Sequence, residues 1–187
     1  MLLLVSALSM LAADSQIRID SVNMDDRRAN VQANGIRFTD TIDLNSQNMQ
    51  VELRVETVQS KSSNRGLNVP SYASASLVVP DILKFHNFGL GAKLGYKQQF
   101  GPQGNNTALI VFHPQVTYKI DRLTLRGGYE FNNPFVSRAN HVPGDFHAET
   151  MGADVAITKH VSLGTNYEIY RGYLKRNVWA SGLTIAF

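Results

Sequence analysis

Alternation with period 2 dominates the carboxyl-terminal three quarters of this chain, and it is sharpest at the end. Counting back from Phe187, the residues Phe187, Ile185, Leu183, Ser181 and Trp179 share one face of an extended segment. The opposite face carries Ala186, Thr184, Gly182, Ala180 and Val178, nearly all small. A β-strand points successive side chains to opposite sides, so one side of this segment is bulky and apolar and the other is thin. The same alternation recurs in segments of about ten residues, at 48–59, 71–79, 87–99, 107–120, 122–131, 147–158 and 161–172. Phe88, Leu90, Ala92, Leu94 and Tyr96 oppose Gly89, Gly91, Lys93, Gly95 and Lys97, and Val51, Leu53 and Val55 oppose Glu52, Arg54 and Glu56.

With the last segment these make eight strands, the even count that a single-chain barrel needs when both ends lie on one side. Connections at 119–122 and 158–161 read as tight turns. Those at 61–70, 100–106, 132–146 and 172–176 are polar, rich in Gly, Pro and Asn, and generally longer. Two features fit less well. The stretch 80–86 is long for a tight turn, and Pro114 inside a strand demands a bulge or an unpaired position. Residues 14–47 are too polar for a clear assignment. Ile17, Ile19, Val22 and Met24 hint at one strand and 35–43 at another, so the segment is either a periplasmic lead-in or a further hairpin that raises the count to ten.

The apolar faces read as facing lipid, because closure of the sheet leaves no backbone edge unpaired in hydrocarbon. Aromatic residues fall at the two interfaces of such a belt: Tyr96, Tyr129, Phe131, Tyr167 and Trp179 toward one end, Phe88, Tyr118 and Phe187 toward the other. A soluble lipocalin-like barrel would use the same alternation with the faces inverted, apolar rows inward and charges outward. Composition agrees with the membrane barrel. Only 43% of residues are hydrophobic and the mean hydropathy is slightly negative, which excludes a helical membrane bundle but not strands whose lipid-facing residues are diluted by alternation. Residues 1–13 are apolar or small up to Asp14, which reads as a secretory signal peptide whose charged start lies upstream of Met1. There is no cysteine, hence neither a disulfide framework nor a lipid-modified amino-terminal Cys. A net charge of +3 with scattered basic residues gives nucleic acid no footprint.

Gly182, Ile185 and Phe187 resemble the carboxyl-terminal assembly signal of bacterial outer-membrane β-barrels, with Ala180 standing where that signal carries a polar residue. The stretch 48–187 is similar in architecture to the outer-membrane protein A transmembrane domain and to the X-type, W-type and opacity-protein barrels. The resemblance implies an all-β, eight-stranded antiparallel up-and-down transmembrane barrel, inserted by the barrel-assembly machinery as a monomer in contact with lipid and lipopolysaccharide. Arg171, Lys175 and Arg176 flank the last hairpin, where lipopolysaccharide phosphates would lie, and an Arg fork suits a phosphate.

The faces opposite the apolar rows define the lumen, whose ionisable residues are Glu52, Arg54, Glu56, Lys93, Lys97, Lys119, Arg126, Glu130, Asp154 and Glu168, with His113. Acids and bases balance, which favours an ion-paired plug over a water-filled channel, since buried charges must be paired. This leads to a non-enzymatic barrel with a closed lumen, serving envelope integrity or surface interaction. Two other readings compete. Ser137, His141 and Asp145, with His147 nearby, hold the residue types of an acyl-transfer triad acting on lipid A or phospholipid from the 132–149 loop. A narrow pore for small solutes is the third. No cofactor motif and no specific metal site is present in the sequence.

Overall fold

A computed structural model describes residues 15–27, 30–44, 48–60, 71–100, 106–137 and 145–187, with the side chains of 136 and 137 excepted. The apolar segment 1–13, the loops 61–70 and 101–105, and His141 lie outside the described residues. Ten antiparallel strands close into one barrel. They are β1 (Ser15–Asp26), β2 (Val31–Leu44), β3 (Met49–Ser60), β4 (Ser71–Phe85), β5 (Phe88–Phe100), β6 (Asn106–Ile120), β7 (Leu123–Ser137), β8 (Phe146–Ala156), β9 (Val161–Gly172) and β10 (Arg176–Ala186). Each strand pairs with its sequence neighbours and β10 pairs with β1, from Gln16 opposite Ala186 to Asp26 opposite Arg176.

The count of eight is therefore corrected to ten. Residues 15–44 form a hairpin in the wall, not a lead-in, and the barrel begins at Ser15 instead of residue 48. The stretch 80–86 is not a long turn either. β4 runs on to Phe85 through a register shift between Val79 and Leu83, and the connection is only His86 and Asn87. Pro114 falls in a gap of the β6–β7 ladder, which pairs Phe112 with Phe131 and resumes at Gln115 with Gly128. Asn30, Asn48, His86 and Asp121 turn the chain at hairpin connections with φ near +50°, a region that Asn, Asp and His tolerate better than most residues.

The two faces separate cleanly over most of the wall. Outward residues such as Ile19, Leu94 and Leu163 are more than half exposed, whereas Arg37 and Glu56 inside are 1% exposed. That polarity is opposite to a soluble lipocalin-like barrel. The outward rows of β2 carry one ionisable side chain, Asp40, which is fully buried.

Toward the end bearing the longer connections, the polarity reverses on part of the wall. Val22, Met24, Val31, Ala33, Leu109, Phe146, Ala148, Tyr170, Val178 and Ala180 pack there as a buried apolar cluster in the lumen. Outside, the same strands show Asn23, Asp25, Gln32 and Asn34. The barrel thus has a membrane zone, apolar outside and charged inside, and a second zone built like a small soluble barrel.

Candidate functional site

The lumen is built in three layers. The deepest is the apolar cluster just described, which caps the loop end. Below it lies a layer of buried ion pairs that crosses the barrel. Arg37 on β2 donates from Nε to Glu56 Oε2 on β3 at 2.7 Å and from Nη1 to Glu168 Oε1 on β9 at 2.7 Å. Tyrosine hydroxyls add a donor to each carboxylate: Tyr72 donates to Glu56 Oε2, the oxygen that Arg37 also holds, at 3.2 Å, and Tyr170 donates to Glu168 Oε2 at 2.9 Å. Lys97 Nζ donates to Glu130 at 2.9 Å and lies 4.7 Å from the centre of the Tyr72 ring. Asn132 closes that cluster by donating to Glu130 at 2.9 Å. Carboxylates this deep are tolerable because each has a cation and a further donor, the condition under which a buried charge repays its desolvation.

The third layer is a cavity of about 520 Å³ that opens among the tight turns. Arg37, Glu130 and Glu168 line its inner end, while Lys119, Arg122, Lys159 and His160 line its mouth. Two further ion-pair groups stud its walls. Lys93 Nζ donates to Glu52 at 2.7 Å, with Arg54 3.3 Å from the same carboxylate. Arg18 bridges Asp20 at 2.8 Å and Asp154 at 2.6 Å, and Arg126 also pairs with Asp154. His113 Nε2 lies 2.9 Å from the Thr150 hydroxyl. A side chain at Gly128 would bring Cβ within 2.8 Å of the Pro114 carbonyl oxygen, so glycine there makes room for the His113–Pro114 stretch.

Of the residues read as lumenal, Glu52, Arg54, Glu56, Lys93, Lys97, Arg126, Glu130, Asp154 and Glu168 stand in these ion pairs. Lys119 sits exposed at the mouth, without an ion pair among the described residues. Arg126 and Glu130 do not pair with each other: their strand parity places both inside, but each meets a partner from another strand, Asp154 and Lys97 respectively. Sequence reasoning does not single out Arg18, Asp20 and Arg37, which lie on the segment that it leaves between a lead-in and a further hairpin. It also missed Tyr72 and Tyr170, inward aromatics on strands that were recognised.

The other candidate residues are more scattered. Arg176 is 6% exposed and turns inward, 3.6 Å from Asp26 and 5.9 Å from the centre of the Tyr170 ring, so it does not face surrounding lipid phosphates. Inward parity on β10, next to an acid on β1, accounts for this. Arg171 is exposed but held by Glu149 through two hydrogen bonds, the shorter 2.9 Å, and Lys175 is exposed in the β9–β10 connection. Tyr96, Phe131 and Trp179 face outward at 43–49% exposure, with Tyr167 5.8 Å from Trp179, Tyr129 4.7 Å from Phe131, and Tyr118 4.4 Å from Phe88 between ring centres. Gly182 lies on the inner face of β10, and Ile185 and Phe187 are outward at 38% and 64% exposure. Ser137 ends β7 and Asp145 immediately precedes β8, while His147 stacks on Tyr129 outside the wall at 5.0 Å. The Ser137 side chain and His141 lie outside the described residues, and no group of three metal-ligating side chains occurs among the described ones.

A closed antiparallel barrel with a lipid-compatible exterior and a charged interior is a transmembrane β-barrel of the outer-membrane type. No family model and no curated protein matches the chain. Among solved structures it is similar to KdgM porin, with 11% identity over 92% of this chain and 99% of that one, at a TM-score of 0.48. Outer membrane phospholipase A from Escherichia coli matches at 11% identity over 91% of this chain and 89% of that one, with a TM-score of 0.48. Neisserial surface protein A matches at 9% identity over 93% and 96% of the two chains, with a TM-score of 0.41.

Proposed function

We propose that this chain is a non-enzymatic outer-membrane barrel that serves envelope integrity or surface interaction with its lumen shut to through-flow. The observation that carries the reading is the stacking of two seals. An ion-pair layer centred on Arg37, Glu56 and Glu168 spans the lumen, and the apolar cluster around Leu109 and Phe146 backs it. Charges with both partners in place do not release ion-sized gaps, and a packed apolar cap offers permeating ions no hydration. Conductance in planar lipid bilayers tests this. The wild-type protein is expected to give no unit steps, and a variant that loses both seals, Arg37→Ala with Phe146→Gly, is expected to conduct.

A second reading, a narrow conduit for small anions, draws on the cavity at the turn end. Eight Arg and Lys side chains line it against five Asp and Glu, an excess that favours anions at its mouth. Steady anion-selective steps from the wild-type protein would replace the first reading with this one.

A further inference from the structure

We propose that the outer wall of β1, β2 and β10, just beyond the aromatic girdle, binds the sugar headgroup of a glycolipid in the adjoining leaflet. The proposal rests on the reading that these strands cross an outer membrane. Its basis is an ordered array of polar side chains fixed by strand register. One row across the wall runs Asn34, Asn23, Trp179, Tyr167, each directly opposite the next on its neighbouring strand. A second row, two residues or about 6.7 Å further toward the loop end, runs Gln32, Asp25, Asn177. On the other side of the girdle the outward residues become Ser21 and Ser181, then Phe38, Ile19 and Leu183.

Between the two rows lies a groove of about 280 Å³, lined by Asn23, Asp25, Gln32, Asn34 and Asn177 with Tyr167 and Trp179 at its edge. Carboxamides both donate and accept, and a carboxylate accepts, which is the mixture that a ring of sugar hydroxyls requires. The aromatic pair adds flat apolar faces against which the carbon skeleton of a sugar can rest. Among the described residues, the side chains of Asn23, Asp25, Gln32 and Asn34 make no hydrogen bond. Two other outward polar groups are tied to protein partners: Trp179 Nε1 donates to Ser181 Oγ at 2.9 Å, and Arg171 to Glu149 at 2.9 Å.

Charge sits at the outer lip. With its amide oriented to satisfy its neighbours, Asn177 accepts from Arg27 Nη2 at 2.9 Å and from the Tyr167 hydroxyl at 3.1 Å. The Arg27 backbone N–H donates to the Lys175 carbonyl at 2.9 Å, bringing two basic residues together above the groove. Apolar belt, aromatic girdle, hydroxyl-binding amides and cations therefore succeed one another along the wall. That is the order of acyl chain, ester region, sugar and phosphate in an anionic glycolipid. The array is not a general property of the rim, because the outward residues of β5 to β7 near the same end include Phe100, Ile110 and Phe135, each about half exposed.

Trp179 is the only tryptophan of the chain, so its emission reports on the groove without labelling. The protein is reconstituted in phosphatidylcholine vesicles containing lipid A or, matched for charge, phosphatidylglycerol. A saturable change in Trp179 emission with lipid A is expected, with phosphatidylglycerol weaker by about tenfold in apparent affinity. Asn23→Leu/Asn34→Leu should lose about the same factor, and the milder Asn23→Ala/Asn34→Ala serves if the first variant misfolds. Equal responses to the two lipids, or unchanged variants, would overturn the proposal. Gel mobility with and without boiling is scored in parallel. Loss of a heat-modifiable band in the wild type would sink the membrane reading itself, whereas a heat-modifiable protein indifferent to the sugar sinks only this site.

Discussion

At the scale of single residues, Arg37 has the most demanding environment in the barrel. It is 1% exposed, and its guanidinium serves carboxylates from two other strands, Glu56 and Glu168. The pairing need not add net stability over an apolar trio of the same volume, but removing one member leaves uncompensated charge inside. Among the described residues, Glu168 would keep the Tyr170 hydroxyl and Arg54, 4.0 Å away, and Glu56 only the Tyr72 hydroxyl. Arg37→Ala is accordingly expected to cost about 3–5 kcal/mol. Arg37→Met combined with Glu56→Gln should recover part of the loss, because it removes charge from both sides of the pair. Urea unfolding of the vesicle-embedded protein measures both, and a loss under about 1 kcal/mol for Arg37→Ala, typical of an exposed pair, would show that the lumen is wetter than its burial implies.

The elements explain why Arg37 was not legible. Eight strands announce themselves through alternation over most of their length, and there the inner and outer faces follow from parity, apart from the shifts in β4 and β6. In β1 and β2 the alternation slips. Ile17 and Ile19 are outward, but the next apolar residues, Val22 and Met24, are inward; Ile36 and Ile42 are outward, but Val31 and Ala33 are inward. Each strand passes from the membrane zone into the zone where apolar side chains belong inside, and its hydrophobic phase changes by one residue at the boundary. A periodicity test averages the two phases to nothing, so the hairpin looks like a polar lead-in. The slip is itself a signal: two short apolar pairs of opposite parity in one extended segment mark a strand that crosses a change of solvent. Cross-barrel partners were not legible for a different reason, since parity says that a side chain is inside but not which strand supplies its counter-charge, as Arg126 and Glu130 illustrate. The hairpin also makes a prediction. A chain lacking residues 15–44 leaves β3 and β10 as open edges and removes Arg37 from Glu56 and Glu168. Unpaired edges are excluded from hydrocarbon. The shortened chain should give no heat-modifiable band in detergent or vesicles, and a stable folded band would restore the eight-stranded barrel as a self-sufficient unit.

Across the whole molecule, the backbone forms a ring. The Phe187 N–H donates to the Ser15 carbonyl at 3.0 Å, so the last described residue lies beside the first. Once closed, such a ring has no first strand; the seam between β10 and β1 is chemically the same antiparallel ladder as the other nine. Chain order is then a matter of delivery and not of the finished structure. A permuted chain that joins Phe187 to Ser15 through a short linker and opens between β5 and β6 should refold from urea into detergent with the same heat-modifiable mobility. In cells the two requirements come apart if Gly182, Ile185 and Phe187 act as an assembly signal, because the permutation changes where their strand stands in the order of the chain. Normal refolding with a collapse of membrane yield would identify those three residues as an address, read once during export and silent thereafter. Equal yield in both settings would make them ordinary members of the wall.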